Sequence, residues 1–434
     1  MKIIKNSPLV SKKSKDALPW SKNDTMWMLS LYGTAIGAGV LFLPINAGIG
    51  GLLPLIVMTL IAFPMTFFAH RGLCRFVLSG AHPDKDITEV VEEHFGVGAG
   101  KLITLLYFFT IYPILLVYSV AITNTVESFL IHQMHISPPP RVLLSFTLIF
   151  GLMSIVHFGK NVIVKAMSIL VFPFIFVLML LTFYLIPYWS DAIFSNVFSN
   201  ETTSTKSILM TLWLIIPVMV FSFNHSPIIS AFAVASRKKY GVDAEKKCGS
   251  ILAWSHIMMV ITVMMFVFSC VLSLSPSDLV QAKSENISIL SYLANHYNRP
   301  LIAYIAPIIA FIAISKSFLG HYLGVQEGFN RLVMQLMCTQ NKKVKTTYLN
   351  RITAIFMLIS TWIVATLNPS ILGIIETLSG PVIAILLYLM PMYAIHKIPA
   401  MRQYSGYTSN IFVVIMGLMA ISAILYNLLD FWAP

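Results

Sequence analysis

Long apolar stretches separated by short polar punctuation run through most of the chain. They lie near 26–45, 52–70, 102–130, 141–158, 166–187, 207–234, 251–274, 301–324, 352–368, 371–394 and 410–430. Each is close to the roughly 20 residues that an α-helix needs to cross a bilayer. Apolar residues fill consecutive positions rather than every second one, which excludes an outer-membrane β-barrel. The pattern predicts an all-α polytopic membrane protein of 11 transmembrane helices set in a lipid bilayer. Composition agrees. With 57% hydrophobic and 11% charged residues, the chain lacks the roughly 25% charge of soluble proteins and is too apolar for disorder.

The polar segments are short. The longest, about 71–101, contains Asp86-Ile87-Thr88-Glu89, the spacing of a capping box, ahead of Val90–Phe95. It predicts a short amphipathic helix on the membrane surface. Segments such as Ser190–Ser207 are polar and modest, and none is long enough for a catalytic domain. The net charge of +12 would suggest nucleic acid in a soluble protein, but its placement says otherwise. With the basic tail (Lys2, Lys5, Lys12, Lys13, Lys15, Lys22) in the cytoplasm, alternate loops put about 24 of the 29 Lys and Arg inside and about 4 outside. The charge therefore reads as a topology signal, with a cytoplasmic N-terminus, a periplasmic C-terminus and no nucleic-acid partner. Cys74, Cys248 and Cys338 share the cytoplasmic side and Cys270 lies in a span, so no disulfide framework is predicted. The Lys-rich start is not followed by an A-x-A-like cleavage site and reads as leading into the first helix.

Two spans do not read as continuous helices. The first contains Gly33-Thr34-Ala35-Ile36-Gly37-Ala38-Gly39, and the sixth contains Phe221-Ser222-Phe223-Asn224-His225-Ser226-Pro227. Pro227 has no amide hydrogen for the carbonyl of Phe223, four residues earlier. Taken alone, Gly33 and Gly37 form a G-x-x-x-G packing motif, and a single proline kink is ordinary in membrane helices. Interruptions at matching positions of two halves instead point to a transporter binding site. The first and sixth spans lead two five-span units, and an odd number makes the second unit enter from the opposite side. The predicted organisation is a basic tail (1–24), a first five-helix repeat (25–187), an inverted second repeat (207–394) and an added helix (410–430).

Unwinding a helix within a membrane exposes amide hydrogens on one side and carbonyls on the other, and something must satisfy them. The half-helix starting near Gly37, Ala38 and Gly39 offers amides and a positive dipole end to a carboxylate. Carbonyls near Thr34, Ala35, Phe221 and Phe223 suit an ammonium group. Asn224, His225 and Ser226 add neutral hydrogen-bonding capacity. These ten positions are the candidate substrate site, and the ligand they describe is a small polar zwitterion. No Arg lies inside a span to pair a second carboxylate or a phosphate. Gly96-Val97-Gly98-Ala99-Gly100-Lys101 lacks the flanking Gly and Ser/Thr of a P-loop, and no zinc or other cofactor signature is present. Three ionisable residues are candidates for coupling to protons. Lys316, deep in its span, costs roughly 2.5–3.5 kcal/mol on insertion scales, and an ammonium taken from water gives up its proton more readily. His225 is the side-chain type that titrates near neutrality. Glu376, early in the tenth span, reads equally as a helix–helix hydrogen bond. Glu127, near the outer end of the third, reads as interfacial.

The Gly33–Pro44 segment, His70-Arg71, Thr88–Phe95 and Phe221–Pro227 resemble the bacterial hydroxy/aromatic amino acid permease family, and the similarity runs from about Asp24 to Leu429. Leu43–Gly48 and Asn224–Pro227 are most similar to its serine-carrying members, with threonine carriers next. The resemblance implies an inner-membrane proton symporter of L-serine with the five-plus-five inverted repeat of amino-acid/polyamine/cation transporters, needing no cofactor, metal or obligate protein partner. Threonine or another small neutral amino acid, or sodium coupling, stays open on the residues alone. A channel would need a continuous polar pore, and a membrane enzyme a fuller acid–base set than His225 and Lys316 supply. A sensor that binds the amino acid without moving it would use the same broken helices.

Overall fold

The computed structural model describes residues 19–156, 160–190, 205–297, 299–338 and 346–432. Most of the basic tail and of the Ser190–Ser207 segment lie outside the described residues. Among the described residues the chain is helices joined by short turns, with no strand, as its apolar pattern requires. Seven helical stretches are long and apolar enough to cross a membrane, and a bent pair makes an eighth. Arg141–Val156, Leu209–Ser222 and Thr408–Ala423 are shorter apolar helices.

The bent pair is the first span: α1 (Lys22–Ala35) and α2 (Ala38–Ile49) meet at 57° across Ile36 and Gly37. α3 (Leu52–Leu78) follows, then α4 (Ile87–His132). The first turn of α4 is a capping box: the Asp86 carboxylate accepts from the amides of Thr88 and Glu89, and the Glu89 side chain accepts from the Asp86 amide. Its surface turns join the membrane helix through a kink at Gly96, whose φ of 86° is open to glycine. α5 (Arg141–Val156) and α6 (Lys160–Tyr184) complete the first half. The sixth span is again two helices, α7 (Thr205–Ser222) and α8 (Ser226–Tyr240), parted at Phe223-Asn224-His225. Then come α9 (Ala244–Ser273), α12 (Pro300–Cys338), α13 (Thr346–Leu367), α14 (Ile371–Lys397) and α15 (Thr408–Trp432). In α14, Ile375–Ser379 and Ile385–Leu389 are wound as π-helix.

Two details differ from the sequence expectation. The polar segment after the second span is shorter than 71–101, because α3 continues to Leu78 and α4 starts at Ile87. Between α9 and α12 lie two short helices, α10 (Pro276–Ser284) and α11 (Ile289–His296). Each opens on a serine cap, Ser275 accepting from the Asp278 amide and Ser288 from the Ser291 amide.

The helices pack in two groups. One gathers α1, α2, α3, α7, α8 and α9; the other gathers α4, α5, α12 and α13, with α12 lying along α4. Both helix breaks belong to the first group. The residues from α4 and α12 that meet them belong to the second.

Candidate functional site

Gly33, Gly37 and Gly39 each sit where another helix comes too close for a side chain. A Cβ on Gly37 would stand 2.2 Å from Ser317 Oγ of α12 and 3.2 Å from the Tyr118 hydroxyl of α4. A Cβ on Gly39 would stand 2.8 Å from the Phe221 ring and 2.9 Å from the Ser222 backbone. The two breaks are therefore in contact, and Ser222 Oγ fastens them by donating to the Gly39 carbonyl (2.9 Å). Because α2 begins at Ala38, its first amides have no carbonyl one turn earlier within the helix. Gly37, which precedes them, lies beside the hydroxyls of Tyr118 and Ser317, and free amides with hydroxyls close by are donors suited to a carboxylate.

Lys316 is buried, and its ammonium donates to the Gly33 carbonyl (2.8 Å) at the end of α1. The Phe174 ring of α6 lies 5.5 Å from Nζ. The carbonyls at the last turn of α1 have lost their helical partners, and a cation here faces the negative dipole end. A cavity of about 280 Å³ reaches Lys316 between α1, α6 and α8, with Thr25, Ser30, Gly33, Thr34 and Ile228 on its walls. Thr34 donates its hydroxyl back to the Ser30 carbonyl (2.8 Å), and Ala35 is buried at the end of α1.

At the second break, Phe221 and Phe223 are buried, and their carbonyls are engaged locally: Phe221 accepts the Asn224 amide (3.2 Å), and Phe223 lies 3.3 Å from His225 Nδ1. Asn224 Oδ1 accepts from the Ser226 amide (3.0 Å), while its Nδ2 is buried without a partner. His225 is turned toward α3 and α9. Its ring stacks on His70 (centroids 3.7 Å, planes 8° apart) and lies 4.7 Å from the His256 ring. One ring nitrogen from each of these three histidines falls within 4.8 Å of the other two, close enough to raise a metal. Parallel stacked rings, however, aim their in-plane lone pairs along parallel planes. Two of the three cannot converge on one ion at the roughly 2.0–2.1 Å that zinc requires.

Glu376 stands apart from both breaks. It accepts from Asn46 Nδ2 of α2 (2.6 Å) and lies 3.6 Å from Lys283 of α10. Glu127 pairs with Arg141, which also binds Asn124 and the Ala365 carbonyl. At the opposite end of the bundle, Asp24 of α1 and Lys247 of α9 form a buried ion pair (3.0 Å) that Tyr240 joins by donating to the Asp24 carboxylate. Tyr118, Ser317 and His256 escaped the sequence reading, and His70 entered it only through the His70-Arg71 motif, since no local pattern tells which helix will face a break.

Comparison with known proteins gives this geometry a family. The sequence model of the tryptophan/tyrosine permease family matches residues 23–428. The serine transporter SdaC of Escherichia coli (strain K12) is 68% identical over 429 residues, covering 99% of this chain and all of that one. The threonine/serine transporter TdcC of Escherichia fergusonii is 47% identical, covering 96% of this chain and 98% of the relative. Among solved structures, MhsT in complex with L-phenylalanine superposes with a TM-score of 0.54 at 14% identity, covering 95% of this chain and 99% of that one. A mutant of the Eremococcus coleocola manganese transporter gives 0.59 at 11% identity, covering 96% and 90%. At such identities the structures speak for the fold alone, a transporter fold. Matched almost from end to end by the family model and by relatives named as transporters, the chain belongs to the tryptophan/tyrosine permease family of amino acid permeases.

Proposed function

We propose that this protein imports L-serine across the bacterial inner membrane together with protons. The observation that carries the coupling is the buried Lys316 ammonium held on the Gly33 carbonyl at the first break, with a cavity leading to it. Serine is favoured by the 68% identity to a serine transporter. The end bearing Asp24 and Lys247 faces the cytoplasm under the positive-inside bias, and the C-terminus lies on the periplasmic side. On this topology 25–187 and 207–394 form the two inverted repeats, with the eleventh span outside them.

The substrate carboxylate takes the amides of Ala38 and Gly39 with the hydroxyls of Tyr118 and Ser317. The unpartnered Asn224 Nδ2 supplies a donor for the substrate hydroxyl, beside Ser226. Protonated Lys316 clamps the end of α1 against α12. Loss of its proton toward the cytoplasm removes the charge that strengthens its bond to the Gly33 carbonyl and lets α1 swing, and reprotonation from outside resets the clamp. Threonine is the second reading, favoured by the 47% identity to a threonine/serine transporter. Competition between labelled serine and unlabelled threonine ranks the two.

The deciding experiment is uptake of labelled serine into proteoliposomes with and without an imposed pH gradient. Wild type should concentrate serine only with the gradient. Lys316→Ala should lose accumulation yet keep some serine/serine exchange, and Lys316→Arg should also fail to couple because arginine keeps its charge. Normal gradient-driven accumulation by Lys316→Ala would remove Lys316 from the mechanism.

A further inference from the structure

The cluster of His70, His225 and His256 has no part in the scheme above, yet it holds the backbone of the second break. His70 Nδ1 lies 2.7 Å from the Thr66 carbonyl, and His256 Nδ1 lies 2.7 Å from the Leu252 carbonyl, so both nitrogens carry hydrogen. That leaves His70 Nε2 as a bare acceptor, and it receives the His225 amide at 3.2 Å. In an unbroken helix this amide would bond to the Phe221 carbonyl four residues earlier, which here accepts the Asn224 amide. A side chain of α3 thus stands in for a lost helical hydrogen bond.

We infer that His70 is a proton-sensitive positioning residue: only its hydrogen-free Nε2 can hold the His225 amide, and a proton there releases the second break. The step is simple to balance. A proton from water forms the Nε2–H bond, the hydrogen bond from the His225 amide breaks, and two donors then face each other. Of the two stacked rings, His70 is the better seat for that charge. Its Nδ1–H has two acceptors, the Thr66 carbonyl and His256 Nε2 at 3.4 Å. The His225 ring has only the Phe223 carbonyl at 3.3 Å, with Nε2 unpartnered. The groups around His70 are His225 from the break, His256 from α9 and, on α3 itself, Arg71 and Cys74. Arg71 lays its guanidinium over Phe67 and Phe68 (4.9 and 5.2 Å), and the Cys74 thiol is buried one turn along. Among the described residues no carboxylate pairs with the three rings. The stacked rings also discourage a second charge, so the cluster takes one proton at a time. This device is separate from Lys316, and only its use in transport rests on the proposed function.

Hydrogen–deuterium exchange of the full chain in lipid nanodiscs, read by mass spectrometry on peptides spanning 222–228 and corrected for the intrinsic pH dependence of exchange, tests it without any substrate. Wild type should be protected at about pH 7.5 and exchange roughly 2- to 12-fold faster at about pH 5, the equivalent of one net hydrogen bond. His70→Gln offers a neutral acceptor at the Nε2 position and should stay protected across that range; His70→Ala should be unprotected throughout. If His70→Ala does not insert, His70→Gln against wild type still decides. Protection in wild type that ignores pH, or a His70→Gln profile that follows wild type, would overturn the inference by placing the proton on His225, on His256 or nowhere. Serine uptake measured on the same preparations separates the two proposals. No uptake with the exchange pattern intact sinks the serine reading alone.

Discussion

Gly37→Ala adds one methyl group at the point where the two helix groups meet. The new Cβ would lie 2.2 Å from Ser317 Oγ, 2.9 Å from Ser317 Cβ and 3.2 Å from the Tyr118 hydroxyl. Backbone strain is not at issue, because φ at Gly37 is −149°, outside the left-handed region. The serine hydroxyl can rotate away; its Cβ cannot move unless α12 does. Overpacking of this kind costs about 1–3 kcal/mol. Near 2 kcal/mol, falling on the conformation that binds substrate, serine affinity should drop roughly 30-fold. Affinity is read by radioligand binding in nanodiscs, with a thermal melt to confirm that the variant is folded. Ser317→Gly removes both of the nearest atoms. A glycine within a helix costs roughly 1 kcal/mol, yet the double variant should bind better than the sum of the two losses predicts, by about 1–2 kcal/mol. Wild-type affinity in Gly37→Ala, or strict additivity in the cycle, would refute the claim that space at this contact sets binding.

Two further outcomes follow from the ends of the bundle. Asp24→Ala leaves the buried Lys247 ammonium without its carboxylate, with the Pro19 carbonyl still bound to it, and should cost about 3–5 kcal/mol, lowering the melting temperature, while Asp24→Leu with Lys247→Met should recover most of it; a double variant as unstable as the single one contradicts this. Glu376→Gln keeps an acceptor for Asn46 and loses only the ion pair to the half-exposed Lys283, worth less than about 1 kcal/mol. Its uptake should keep the wild-type pH profile, and a shifted profile would make Glu376 a proton carrier.

Both helix breaks could be read along the chain because their causes are local. Gly37 caps the start of the second half-helix of the first span, and Pro227, in the first turn of α8, leaves the Phe223 carbonyl without a helical donor. The depth of Lys316 was equally readable from the apolar run around it. What it touches was not. Nothing near residue 316 says that α12 will pass beside Gly33, and nothing near residue 118 marks one tyrosine among many as the neighbour of Gly37. His225 shows the same limit. Its place at a break suggested a ligand for substrate, but its ring direction was decided by His70 and His256, 155 residues before it and 31 after. The helices α10 and α11 were readable in principle, since Ser275-Pro276-Ser277-Asp278 has a cap followed by proline at the first helical position. Their few apolar residues were lost beside the long spans.

The π-wound stretches of α14 have a mechanical consequence. Each wide turn stores one residue more than an α-helical turn needs. If one relaxes to α geometry, everything beyond it turns by about 100° and shifts by about 1.5 Å along the axis. Gly380, between the two, lies so close to Pro217 of α7 that a Cβ there would stand 2.5 Å from the proline carbonyl oxygen. The middle of the span is pinned, while Glu376 above it and Tyr388 below it sit in the wide turns themselves. Either end of the tenth span can thus re-index about a fixed centre, each wide turn exchanging its i→i+5 backbone hydrogen bonds for i→i+4 ones.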